Sequence, residues 1–199
     1  MKTTKAMLLS ILALIAMSFT TNSISDGIHN IDKGNSQIIW TGKKVTGEHV
    51  GTVALKSGQL QIVDGKLTGG EFVIDMASIT STDLEGEYLQ KLNGHLKSAD
   101  FFGVKTYPTA TLKITRVVSK GIEGAYKVSA NLTIKETTKA IKFDTQLTSE
   151  GNKVVAVSDI TIDRSEFDVR YGSGSFFDNL GDKTIYDDFY LQIKLVTAE

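Results

Sequence analysis

The chain contains no cysteine, which excludes a disulfide framework, thiolate metal ligation, covalent haem attachment and a lipidated cysteine. Its three histidines, His29, His49 and His95, stand far apart, and none has a partner at a ligand spacing such as His-x-x-x-His, so a zinc site finds no support. There is no Gly-x-Ser-x-Gly elbow. The run Gly172-Ser173-Gly174-Ser175 precedes aromatics rather than a helix, so neither a hydrolase nucleophile nor a dinucleotide loop is indicated. Asp178, Asp182, Asp187 and Asp188 do not have the spacing of an EF-hand loop and read as a solvated face. The formal net charge of −1 leaves no electrostatic footprint for nucleic acid.

The first 18 residues have the order of a secretory signal peptide. Lys2 and Lys5 precede a mostly apolar run from Ala6 to Met17, and Ala16-Met17-Ser18 offers a small-x-small cleavage site. The run is shorter than the roughly 20 residues a helix needs to cross a bilayer. Export is therefore expected, with a periplasmic or secreted mature protein, no stable membrane insertion and an N-terminus near Phe19. Cleavage would remove two of the 22 basic residues, leaving 20 against 23 acidic ones, a net charge of −3. Residues 19–35 are rich in Ser, Thr, Asn, Asp and Gly and read as a tether, with a first short strand at Ile28 to Ile31. One domain, residues 36–199, follows.

From Gln37 onward apolar residues recur with period two, as in Phe72, Ile74 and Met76, or Val128, Ala130 and Leu132. Asp64-Gly65 is a hairpin signal, because both residues tolerate positive φ. About eight to ten such strands, joined by short turns, favour an antiparallel barrel over a βαβ fold. Between Ser81 and Gly94 the period lengthens to about 3.6, with Leu84, Tyr88 and Leu92 on one face. That predicts one short helix, with Thr82 and Glu85 as a capping box, Gly86 inside it and Gly94 ending it. The helix should pack on the barrel as a plug or lid.

The main interruption of the β pattern is residues 94–111, which hold Phe101, Phe102, Tyr107 and the single proline, Pro108. Three rings in seven residues of a connector predict burial of Phe101 and Phe102. The string His95-Leu96-Lys97-Ser98-Ala99-Asp100-Phe101-Phe102, followed by Tyr107-Pro108-Thr109-Ala110, resembles the signature of the YceI-like family, periplasmic proteins that bind polyisoprenoids and other long-chain amphiphiles. Phe72 to Met76, Ser78-Ile79 and Asp163 to Phe167 add to the resemblance, which runs from about Trp40 to the C-terminus. It implies a lipocalin-like barrel of about eight strands with a lipid chain inside.

An eight-stranded barrel is just wide enough to be filled by side chains or to hold one small ligand. Small inward residues such as Ala110 and Ala130 are compatible with a channel, and the resemblance decides for one. The expected apolar lining is Phe72, Ile74, Met76, Leu92, Phe101, Phe102, Leu112, Ile114, Val128, Leu132, Phe143, Ile160 and Ile162. His95 and Arg164 are candidate head-group contacts. Against them stand a ring-to-backbone hydrogen bond for His95 and, for Arg164, an internal pair with Asp163, Glu166 or Asp168. The expected ligand is a polyisoprenoid, an isoprenoid quinone or a fatty-acid derivative, bound without catalysis and with no cofactor or metal. A homodimer is compatible with the sequence. The rivals are an enzyme using His95, Asp100 and Arg164 on a hydrophobic substrate, and a filled barrel acting in adhesion or envelope stress through its surface.

Overall fold

The structure is a computed structural model and describes residues 24–198. The expected signal peptide lies outside the described residues. Nine antiparallel strands follow in chain order: β1 (Gly27–Asn30), β2 (Gln37–Lys44), β3 (Gly47–Val63), β4 (Lys66–Ser81), β5 (Thr109–Ser119), β6 (Ala125–Ile134), β7 (Thr137–Glu150), β8 (Lys153–Asp163) and β9 (Ile185–Val196). Among the described residues a single α-helix, α1 (Gly86–Lys97), sits between β4 and β5.

Each of β4 to β9 pairs with its neighbour in sequence. Closure comes from two long strands: β3 pairs with β4 along one edge and with β2 along the other, and β2 pairs with β9. Eight strands thus form a closed barrel, and β1 is an added ninth, paired with residues 59–62 of β3. The latter part of the expected tether therefore belongs to the barrel. Ile31 is buried and bridges to Thr197.

Period two places the core. Along β6 the alternate residues Tyr126, Val128, Ala130, Leu132 and Ile134 are all buried, and along β8 so are Val154, Ala156, Ser158, Ile160 and Ile162. These inward sets form two apolar clusters stacked along the barrel. One is built around Ile62, Leu67, Tyr126, Val128 and Leu147, the other around Trp40, Met76, Phe101, Phe102, Ile162 and Phe167. Asp64 and Gly65 take φ of 50° and 67°, so the β3–β4 hairpin turns where the sequence indicates. Gly51 answers to packing: a Cβ there would lie 2.0 Å from the Thr80 carbonyl oxygen and 2.3 Å from the Trp40 ring. Only glycine lets the indole lie against β3 and donate to the Thr52 carbonyl at 3.2 Å.

The helix differs from its sequence reading. It begins where the pattern places its interior, with Gly86 as first residue at φ 57°, and runs through Gly94 to Lys97. Glu85 makes no capping hydrogen bond. Thr82 instead binds β3, its N–H and hydroxyl both donating to the Val50 carbonyl. The end is closed by Ser98, whose N–H and hydroxyl donate to the His95 carbonyl. The register moves because Leu96 anchors the helix: it is buried, Leu92 is half-buried, and Tyr88 is 73% exposed with Lys91 against its ring.

Candidate functional site

A cavity of about 190 Å³ occupies the barrel interior and is bordered by residues of both clusters. Its wall comes from the inward positions of β2 to β9 together with Leu96, Phe101, Phe102 and Arg164. The volume exceeds the roughly 150 Å³ of an apolar cavity known to stay dry and to bind benzene. It is smaller than the roughly 300–1,000 Å³ of ordinary ligand pockets. The barrel is therefore not filled by its own side chains, and the empty space suits a slender apolar chain. Polar side chains on the wall are few: Thr145, whose hydroxyl donates to the Val157 carbonyl, Ser158, Arg164 and Tyr186.

Twelve of the thirteen expected lining residues lie on this wall, among them Phe72, Met76, Ile114, Val128, Phe143 and Ile162. The exception is Leu92, which packs half-buried against the cluster around Trp40 and Phe102. The helix shift explains it, because Leu96 takes the position on the wall. Ala110 lines the cavity, whereas Ala130 is wholly buried in the core without lining it.

At the helix-bearing end the aromatic connector closes the barrel. Phe101 and Phe102 are 7% and 8% exposed and meet edge to face at 4.9 Å. His95 packs edge-on against Phe101 at 5.3 Å and Tyr171 at 4.4 Å. Its Nε2 is buried without a hydrogen-bond partner, so ring packing and not a bond to the backbone fixes it. Burial lowers its pKa, Asp100 works in the opposite direction, and Arg164 adds to the lowering. His95 is not among the residues of the cavity wall.

Arg164 is 2% exposed and its guanidinium lies 5.4 Å from the Phe101 ring. Its Nη1 donates to the Val169 carbonyl at 2.6 Å, Nη2 to Ile185 at 2.9 Å and Nε to Tyr186 at 3.2 Å. Its acidic partner is none of the three expected. Asp187 Oδ1 stands 3.3 Å from Nη2, while Asp163 caps Ser165 and Asp168 pairs with Arg170 and Lys135. Burial lowers the Arg164 pKa, opposed by Asp187 and Asp163. Asp187 is thus no solvated loop residue. It shares the less exposed alternate set of β9 with Ile185, Phe189, Leu191 and Ile193, a parity visible in the sequence once that strand is extended by two residues.

Asp83 forms a second polar knot, where α1 leaves the barrel. Burial opposes its ionisation, but hydrogen bonds from Ser81, His49 and the Val50 N–H outweigh that, and its pKa is lowered. Among the described residues no group of His, Asp and Glu is arranged to hold a metal ion, and no helix is long and apolar enough to cross a membrane.

A family model for the YceI-like domain matches residues 29–197. A UPF0312 protein of Vibrio parahaemolyticus is 30% identical over 124 residues, 59% of this chain and 60% of that one. A UPF0312 protein of Vibrio cholerae is 33% identical over 91 residues, 41% and 47% of the two chains. The match thus spans 60% or less of the length of these relatives. BcnA of Burkholderia cenocepacia superposes with a TM-score of 0.69 at 24% identity, covering 84% of this chain and 99% of that one. A polyisoprenoid-binding domain from Saccharophagus degradans does so at 0.66 and 15% identity, covering 87% and 98%. These likenesses establish the fold. With the family model matching most of its length, the chain belongs to the YceI-like family.

Proposed function

We propose that this YceI-like chain binds a long-chain amphiphile, a polyisoprenoid, isoprenoid quinone or fatty-acid derivative, inside the barrel, and stores or carries it in the cell envelope without catalysing a reaction. The observation that carries this reading is the unfilled interior, bordered by both apolar clusters and almost free of polar groups. The name of the Saccharophagus degradans neighbour is in keeping with it. Affinity comes from burial: at roughly −0.3 kcal/mol per heavy atom, a chain of about 20 carbons gives about −6 kcal/mol and one of about 40 gives about −12 kcal/mol. Binding should therefore tighten from roughly tens of micromolar toward nanomolar as the chain lengthens, until the cavity is full. The basic and apolar order of residues 1–18 supports export, which the mass of protein from its native host tests directly.

Catalysis finds less support. Arg164 is engaged by backbone carbonyls, His95 lies off the cavity wall and Asp100 is exposed, so the three groups do not share the space a substrate would occupy.

The test is extraction of the purified protein with organic solvent followed by mass spectrometry, on wild type, Ile114→Asp and Lys113→Asp. Ile114 lines the cavity and Lys113 faces outward. A carboxylate at Ile114 loses its hydration with nothing in exchange. Loss of lipid from the Ile114 variant alone, both proteins being folded by circular dichroism, is the expected result. Equal retention by the two removes the interior as the binding site.

A further inference from the structure

The barrel wall has a fault on one side. Between β2 and β9, Gly42 pairs with Phe189 and Lys44 with Ile185, so one residue of β2 faces three of β9, Tyr186, Asp187 and Asp188. The ladder is open there. Two carbonyls at the start of β9, those of Ile185 and Tyr186, accept hydrogen bonds from Arg164. Arg164 thus holds backbone carbonyls beside the interruption and fixes the start of β9 there.

The same place is where inside and outside meet. Gly42, Ile185 and Tyr186 belong to the wall of the apolar cavity. Tyr186 also belongs to a polar pocket, lined by Lys43, Asp163, Tyr186, Asp187, Asp188 and Tyr190. Gly42 follows Ile38 and Trp40 on the inward set of β2, and a Cβ built on it meets nothing within 4 Å. The absent side chain leaves space in the cavity wall on the strand that carries Lys43 of the pocket. No backbone strain requires a glycine here, since Gly42 is not among the residues with positive φ.

We propose that the seam between β2 and β9 is the mouth through which the amphiphile enters, and that its head group rests in the polar pocket beside Tyr186. This rests on the reading of the barrel as a lipid binder and adds where the head lies and what chemistry it has. The pocket favours an uncharged or cationic hydrogen-bond donor, such as an alcohol, amide or amine, over a phosphate or carboxylate. Of its three carboxylates Asp187 is paired with Arg164, and Asp163 and Asp188 face one lysine, which is shared with Glu48 at 3.7 Å and with the Tyr190 ring at 5.1 Å. Arg164, the nearby cation suited to an anionic head, has each of its nitrogens on a backbone carbonyl. Asp187 Oδ1 makes no hydrogen bond, its one partner being the ion pair with Arg164 Nη2 at 3.3 Å, while Oδ2 accepts from the Ser175 hydroxyl.

The test uses two accidents of composition. With no native cysteine, Gly42→Cys creates a single thiol, and Trp40, the one tryptophan, lies on the cavity wall and reports a ligand through its fluorescence. Uptake of oleamide is timed on folded Gly42→Cys protein before and after reaction with a polyethylene glycol maleimide, with Lys113→Cys treated alike on the outer face of β5. A fall of about tenfold or more at Gly42 alone is expected, and equal rates before and after labelling overturn the seam. For the head group, oleyl alcohol, oleamide, oleylamine, oleate and oleyl phosphate share one chain. The first three should bind at least about tenfold more tightly than the last two, and exposed Asp188→Lys should narrow the gap. Anions bound as tightly as the others, or a gap indifferent to Asp188→Lys, overturn the head-group assignment. Failure of wild-type protein to take up any of the five refutes lipid binding itself, whereas a label without effect refutes only the mouth.

Discussion

Arg164 is the residue on which the helix-bearing end depends. It ties the 3-10 turn at residues 164–167 to the start of β9 through the carbonyls of Val169, Ile185 and Tyr186 and through Asp187. Arg164→Leu would leave these acceptors buried without donors, and a broken buried pair costs about 3–5 kcal/mol. Arg164→Lys should restore little, because an ammonium cannot reproduce a planar fork directed at three carbonyls. Urea unfolding midpoints, read for both variants, check this. Sequence placed Arg164 at a strand end beside aromatics, but not its partner. Asp187 is remote in sequence, and its inward setting follows from where β9 begins.

His95 gives a pH dependence of known sign. Its folded-state pKa is lowered, by burial first, so the unfolded chain takes up the proton more readily. The stability it contributes is complete above the ordinary histidine value of about 6.5 and declines as pH falls from there toward the lower folded value. His95→Phe keeps a ring against Phe101 and Tyr171 and cannot be protonated. The variant should gain on wild type as pH drops below about 6.5 and show no such gain above it. Thermal unfolding across that range, with an NMR titration of the His95 ring in wild type, measures both halves of the claim.

Among the elements, α1 shows where periodicity misleads. Leu84, Tyr88 and Leu92 satisfy a helical repeat, yet the buried anchor is Leu96, one turn later. An amphipathic pattern fixes the face of a helix better than its ends, and here the ends are set by Thr82 bonding to β3 and by the turn at Ser98. The two glycines exchange roles as a result. Gly94 lies inside the helix, exposed, with nothing within 4 Å of a Cβ, so Gly94→Ala should stabilise by up to about 1 kcal/mol. Gly86 holds φ 57° at the start, so Gly86→Ala should destabilise. Opposite shifts in the thermal midpoint are expected. The strands were far more legible, because period two over a closed antiparallel sheet leaves only one set of side chains to face inward.

At the scale of the molecule, the class of fold and the apolar lining were readable, but the break in the wall was not. A ladder interruption depends on how β2 meets a strand at the other end of the chain, and no local pattern encodes it. The way that joint is made has a further consequence, for folding. The Ser36 hydroxyl accepts from the Val196 N–H across 160 residues of sequence, whereas most other neighbouring strands are joined by short hairpins. Loop-closure entropy and contact order place the longest-range pairing late. The barrel should thus pass through an open trough, with its apolar faces uncovered, before β2 and β9 meet. A lipid present at that moment is enclosed as the chain closes, whereas one met afterwards has to enter by the seam. Occupancy then depends on history. Protein folded in the presence of a long-chain amphiphile should retain it through purification, and protein refolded from urea without lipid and then offered the same amphiphile should fill much more slowly. Comparing the bound lipid by mass spectrometry after the two treatments would show whether the barrel is loaded before or after it closes.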